Sequence, residues 1–136
     1  SRPELWRPAA YSETLGVSSG TLGTSFTPGN ATFGSWASLG TTTKKHFWAQ
    51  LGVQIDNNTM SAHGTRIQLG IGAGGASDTH VIIDHQVISN SSEECWSAPQ
   101  TSCTWEIPAG AELWVRGNNS AAPVTGYNAT AVLFGG

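Results

Sequence analysis

Residues His46–Ile55 alternate in polarity with a period of two: Phe47, Ala49, Leu51, Val53 and Ile55 against His46, Trp48, Gln50, Gly52 and Gln54. Successive side chains of an extended chain point to opposite sides, so this run describes a strand with one face on a core and one turned outward. A helix would scatter the same apolar residues around its axis. The run stops at Asp56-Asn57-Asn58, a turn composition. Alternation returns at Thr65–Ile71, where Ile67, Leu69 and Ile71 oppose Arg66, Gln68 and Gly70, and it ends at Gly72-Ala73-Gly74-Gly75.

The rest of the chain repeats the pattern of an apolar or β-branched run followed by a break. Leu22–Thr27 ends at Pro28-Gly29-Asn30, and Ala31–Leu39 ends at Gly40. His80–Ile88 is β-branched and continuous, which predicts a strand covered on both faces. Residues 89–101 read as a polar loop, followed by strands at Ser102–Ile107, Glu112–Arg116 and Tyr127–Phe134. About eight strands at intervals of roughly ten residues is the spacing of a sandwich or jelly roll. The 17 Gly, with fifteen Ser and fifteen Thr, reinforce this, since they disfavour helices and suit short strands and turns. The expected fold is all-β: a single antiparallel β-sandwich of jelly-roll type over residues 13–136, preceded by an extended N-terminal arm over 1–12.

The arm carries Pro3 and Pro8, which fix φ and hold the residues before them extended. Leu5 and Trp6 are apolar and too few to bury each other, so another surface must cover them. Arg2 and Arg7 flank them, ready to pair with carboxylates of a partner. The arm is therefore expected to be a partner-binding element, with folding back on its own sandwich as the alternative. This N-terminus has no apolar stretch or small-residue cleavage site of a secretory signal. A start at Ser suits removal of an initiator Met and processing of a secreted domain alike.

Charge is sparse. Only 11% of residues are charged, the net charge is −3, and Lys44–Lys45 is the one basic pair. Nucleic-acid binding needs a clustered positive field, so that class is excluded. No apolar run is long enough for a membrane-spanning helix. Cys95 and Cys103 enclose a short polar segment, which suggests a disulfide closing a surface loop in an oxidising compartment. Two free thiols at strand ends are the alternative.

Candidate chemistry is thin. Asp78-Thr79-His80 with Asp84-His85 is the one grouping of titratable residues. On a regular strand His80 and Asp84 share a face and His85 takes the other, and a metal would need a third ligand from His46 or His63. Outward polar residues at a strand end are the simpler expectation. Gly70-Ile71-Gly72-Ala73-Gly74-Gly75 lacks the Lys-Ser/Thr of a phosphate loop and reads as a turn. No nucleophile stands with a distinguishable base, so neither enzyme activity nor a cofactor is expected. The five sequons, at Asn30, Asn57, Asn90, Asn118 and Asn128, fall mostly in the expected turns.

Trp48 and Trp114 fall on the outward phase of their strands, while Trp36 and Trp96 sit near strand ends. Outward Trp residues stack on sugar rings, fill interfaces between subunits, or mark a strand covered on both faces. The interface is the expectation taken forward, because Trp is enriched at interface cores and this chain has few charges to keep copies apart.

Three segments follow one another in an order that carries a resemblance. They are Ile67-Gln68-Leu69-Gly70-Ile71-Gly72-Ala73-Gly74, then Ile107-Pro108-Ala109-Gly110-Ala111-Glu112-Leu113-Trp114-Val115-Arg116, then Ala131-Val132-Leu133-Phe134-Gly135. Over residues 31–136 the chain resembles small β-sandwich virion proteins of tailed bacteriophages. That resemblance implies a structural protein at the particle surface, either a capsid decoration (cement) protein, a head fibre or a tail component. It implies the major capsid protein or another virion protein as partner, a homotrimer, and motif residues that are structural. The rival expectation is a carbohydrate- or receptor-binding module that uses Trp48 and Trp114 on host glycan.

Overall fold

Strand β5 (His46–Asp56) forms where the alternation predicts it, with Ala49, Leu51 and Val53 buried. The computed structural model describes residues 9–16, 23–56, 63–74, 77–89, 93–97, 101–120 and 127–136, with the side chains of 54–56, 63, 87–89, 93–97 and 101–105 outside that description. β5 lies in the middle of a first sheet, hydrogen-bonded on one side to β11 (Tyr127–Gly135). On its other side it pairs with β8 (Glu93–Ser97) and β9 (Thr101–Ile107), which share one edge end to end. β1 (Tyr11–Leu15) and β2 (Thr24–Phe26) share the opposite edge, both antiparallel to β11.

The second sheet runs from β7 (Thr79–Ser89) through β6 (His63–Gly72) to β10 (Glu112–Asn119). Its other edge is shared by β4 (Ala37–Thr41) and the two-residue β3 (Gly29–Asn30). If strands that share an edge count as one, eight strand positions remain. The first sheet holds positions one, eight, three and six in spatial order, and the second holds two, seven, four and five. The last strand beside the first, with alternate crossings between two sheets, is the connectivity of a jelly roll. The chain is an all-β sandwich of that type.

The core lies between the sheets. Leu51 and Leu133 from the first sheet meet Ile67, Leu69, Leu113 and Val115 from the second, all fully buried. Each such side chain contributes about 1.5–3 kcal/mol relative to exposure. β10 and β11 alternate buried and half-buried residues without a break, as a strand with one core face must. Between β1 and β2 the edge is interrupted, and the two glycines that bracket the interruption explain how. Gly16 and Gly23 have φ of +88° and +133°, and a Cβ on either would lie 2.7 Å or 3.0 Å from the Ala129 carbonyl oxygen. The chain leaves and rejoins the sheet by passing close over β11, which a side chain would prevent.

Five expectations are corrected. Residues 11–15 form a sheet strand, so Tyr11 and Ser12 belong to the sandwich rather than to the arm. Part of the expected loop 89–101 is β8, paired with β5. Ala31–Leu39 is not one strand: Ala31 takes φ 58°, and the chain reverses along the edge of β10, where Phe33 bridges Asn118 and the Gly34 N–H donates to the Gly117 carbonyl, before β4 begins. β7 is an edge strand, exposed at Val81, Asp84 and Gln86, rather than covered on both faces. Of the sequons expected in turns, Asn30 and Asn118 stand in strands, while Asn128 lies in β11, where a strand was expected. Asn57 and Asn90 lie outside the described residues.

Candidate functional site

The outer face of the second sheet is where polar chemistry gathers. Arg66 on β6 makes a two-pronged ion pair with Asp84 on β7, Nε to Oδ1 at 2.8 Å and Nη2 to Oδ2 at 2.5 Å. Gln68 Nε2 donates to the same carboxylate at 3.1 Å, and Arg116 Nε on β10 donates to Gln68 Oε1 at 2.8 Å. The Arg66 hydrogen bond, against the effect of burial, holds the Asp84 carboxyl below its ordinary range. The irregular segment along the edge of β10 adds the rings of Phe33 and Trp36, and the Arg116 guanidinium lies 4.3 Å from each ring centroid. Desolvation there pulls the Arg116 pKa down, which matches a cation held against two aromatic faces.

Trp114 lies on this face as its phase predicts, but its ring is taken. Its indole N–H donates to the Gly72 carbonyl at 2.7 Å, and a Cβ at Gly74 would fall 2.6 Å from the ring. The Trp36 ring also packs on a glycine, Gly70, but its buried indole N–H has no hydrogen-bond partner among the described residues. These glycines leave room for the two indoles. Gly70 and Gly74, in a segment read from sequence as a turn, therefore also seat aromatic rings.

Trp48 is on the opposite side of the molecule. Strand register sets it beside Phe134 and Ser12 in one row on the outer face of the first sheet. Gln50, Val132 and Thr14 form the next row. All but Ser12 and Thr14 are half-buried, and none is charged. The structure thus separates the two Trp residues that sequence phase had grouped as one oligomer or ligand surface.

A third cluster closes one end of the sandwich. His46 was expected outward, but the register break between His46 and Trp48 turns it inward, where it is 1% exposed. Its Nε2 lies 2.7 Å from Glu13 Oε1, and Tyr11 packs edge-on against the imidazole. Thr43 donates to Glu13 from its backbone N–H and from its hydroxyl. Burial pushes the Glu13 carboxyl up, yet the hydrogen bonds from His46 and Thr43 outweigh it, and the group ends below its ordinary 4.5. A carboxyl depressed on folding binds fewer protons folded than unfolded, so its stabilisation is complete above 4.5 and is lost as pH falls through the folded value. Wild type should therefore melt above Glu13→Gln at pH 7, with the gap closing progressively below pH 4.5 in a thermal-melt series.

His80 and Asp84 do not share a face. The register shifts in β7, with Gly70 opposite Val81 and Leu69 opposite Ile83. The shift turns His80 to the side of Ile71 and His85 to that of Ile67, while Asp84 faces out with Gln68. Among the described residues no three His, Cys, Asp or Glu side chains could hold a metal. The side chains of Cys95 and Cys103 lie outside the described residues. Their backbones run along one edge, Cys95 opposite Gln54 and the neighbour of Cys103, Ser102, opposite Trp48. Six residues of strand span about 20 Å, and this register does not bring the two cysteines together. Arg2, Leu5, Trp6 and Arg7 also lie outside the described residues.

Sequence reasoning missed the Arg116–Phe33–Trp36 stack and the Glu13–His46 pair. The one available signal was the alternation of Tyr11, Glu13 and Leu15, obscured by a charge in an inward position.

No family model matches the chain, and no curated protein sequence matches it. Among solved structures it is similar to PirA at 11% identity, covering 94% of this chain and 96% of that one, with a TM-score of 0.40. It is similar to a chain of infectious bursal disease virus, Gx strain, at 11% identity and TM-score 0.35, covering 95% of this chain and 32% of the viral one. A structure described as CBM4 gives 8% identity and TM-score 0.35, covering 92% and 90%. Similarities this low carry no argument about what the chain does.

Proposed function

We propose that the chain is a non-enzymatic structural protein of a tailed-phage virion, a capsid decoration protein that stabilises the head surface. The reading rests on the resemblance, and one observation supports it most. The three segments that carry the resemblance form β6, the turn into β10 with that strand, and β11, and their inner residues Ile67, Leu69, Leu113, Val115 and Leu133 are all buried. What is shared is thus a scaffold, as structural motif residues should be. The main charged groups of the second sheet's outer face satisfy one another, which suits a passive surface more than a catalytic one.

A glycan-binding module, the rival, needs open aromatic rings in a line. Trp36 and Trp114 have theirs against glycines and Arg116, which leaves Trp48 alone among the described Trp side chains. The arm, with Leu5 and Trp6 as anchor and Arg2 and Arg7 for register, is the proposed attachment to the major capsid protein or another virion protein.

Particles that lack the chain, mixed with it and pelleted, should take it up to saturation. Removing residues 1–8 should abolish uptake and leave the melting temperature within about 2 °C, the result expected of an arm that docks on a partner rather than on its own sandwich. Uptake unchanged by the deletion would show that the arm is not the attachment.

A further inference from the structure

We propose that the outer face of the first sheet is a self-association surface, on which two copies of this chain pack face to face about a twofold axis.

Charge distribution argues for it first. Nine charged residues have described side chains, and none stands in the rows of Trp48, Phe134 and Ser12 or of Gln50, Val132 and Thr14. The row beyond, Thr130 opposite Gly52, is uncharged as well. Among the described side chains the nearest charges, Lys45 and Glu106, pair with each other at 3.9 Å at the corner where β9 ends. The second sheet's outer face, by contrast, carries Arg66, Asp84, Glu112 and Arg116. A chain of net charge −3 repels its copies wherever charges face each other. Among the described residues these rows present none. An uncharged surface is compatible with itself, and a charged partner would gain nothing from it.

Its composition fits the same occupant. Trp48, Phe134 and Val132 are half-buried in the lone molecule, so each keeps apolar area to lose, and Thr14, Thr130 and Gln50 supply short polar contacts between them. Trp is the residue type most often found at interface hot spots. The glycine at 52 keeps one end of the face low.

Size is sufficient. Four strand positions at about 4.8 Å and a nine-residue β11 give a footprint on the order of 500 Å². Two such faces bury about 1,000 Å² or more, where specific interfaces begin. Sheets pack about 10 Å apart with strands near −30°. A single face that meets its own copy makes an isologous contact, which closes at two; a threefold ring would need two different patches. The unit is therefore a pair, where the resemblance alone implies a trimer.

Pairing and particle uptake are separate properties, so either can fail without the other. The test is sedimentation equilibrium of the full chain from 1 to 100 μM, beside Val132→Glu and a Gln50→Cys variant in which Cys95 and Cys103 are serine. Wild type should reach twice the 14.2 kDa monomer mass. Val132→Glu should keep its cooperative melt and bind itself at least about 100-fold more weakly, because two carboxylates then meet across the axis. Gln50→Cys should form an interchain disulfide under mild oxidation. A monomer at 100 μM, a trimer mass, a Val132→Glu protein of wild-type mass, or a Gln50→Cys protein that stays uncrosslinked while dimeric would each overturn the proposal. If Val132→Glu does not fold, the Gln50→Cys crosslink decides.

Discussion

Leu51→Asp is expected to leave no folded protein: no cooperative thermal transition, and the circular dichroism of an unfolded chain. Leu51 is 0% exposed, at the middle of β5, opposite Ala131 on β11 and facing the second sheet across the core. The change removes a buried leucyl group, worth about 2–5 kcal/mol, and places a carboxyl where no donor or cation waits. Burying that group unpaired adds several kcal/mol more, whether it stays charged or takes up a proton. Together these costs approach the roughly 5–15 kcal/mol that holds a domain of this size folded. Gln86→Asp on β7 supplies the control. Gln86 is exposed on the second sheet, so its aspartate meets water and the sandwich should melt within a few degrees of wild type. A folded Leu51→Asp would mean that the inward phase of β5, and with it the sandwich, is wrong.

Asn119→Ala is expected to cost about 2–4 kcal/mol, a drop on the order of 10 °C in melting temperature. Asn119 ends β10 with its side chain fully buried, a position where a polar residue survives only if satisfied. Its Oδ1 accepts from Thr65 Oγ1 at 2.5 Å, and its Nδ2 donates to the Tyr127 hydroxyl at 3.1 Å. Tyr127 is itself fully buried and packs edge-on against Phe26 at 5.6 Å between centroids. Alanine removes the group that joins β6, β10 and β11 at this end and strands two hydroxyls in the core, left with a 3.5 Å contact between them. Asn119→Ala combined with Tyr127→Phe should recover part of the loss, because one orphan is then gone. A double variant no better than the single would mean that the network contributes by packing alone.

Much of this architecture was readable in the chain because inward positions were apolar and regularly spaced. β5, β6, β10 and β11 alternate plainly, and all four sit in the middle of their sheets, where one face must be buried. Edge strands were harder. β1 hid behind Glu13, an acid in an inward position that folding satisfies with Thr43 and His46 from elsewhere in the chain. β8 was hidden by Glu93 and Glu94, read as loop chemistry. Phase failed at bulges, since an extra residue in β7 or beside His46 depends on the partner strand's register rather than on local pattern. For the same reason sequence phase identified Trp48 and Trp114 as outward but could not say that they face opposite ways. The Arg116 stack needed Phe33 and Trp36 to be presented from an irregular segment that reverses along the edge of β10, which no periodicity announces.

The most direct measurement on the account as a whole is the protein composition of purified virions from the source that encodes this chain. The chain should be present at one fixed copy number set by the capsid lattice, released as intact folded protein, with depleted heads less resistant to heat or osmotic shock. Its absence from purified particles, or a trace amount that varies between preparations, would contradict the assembly role.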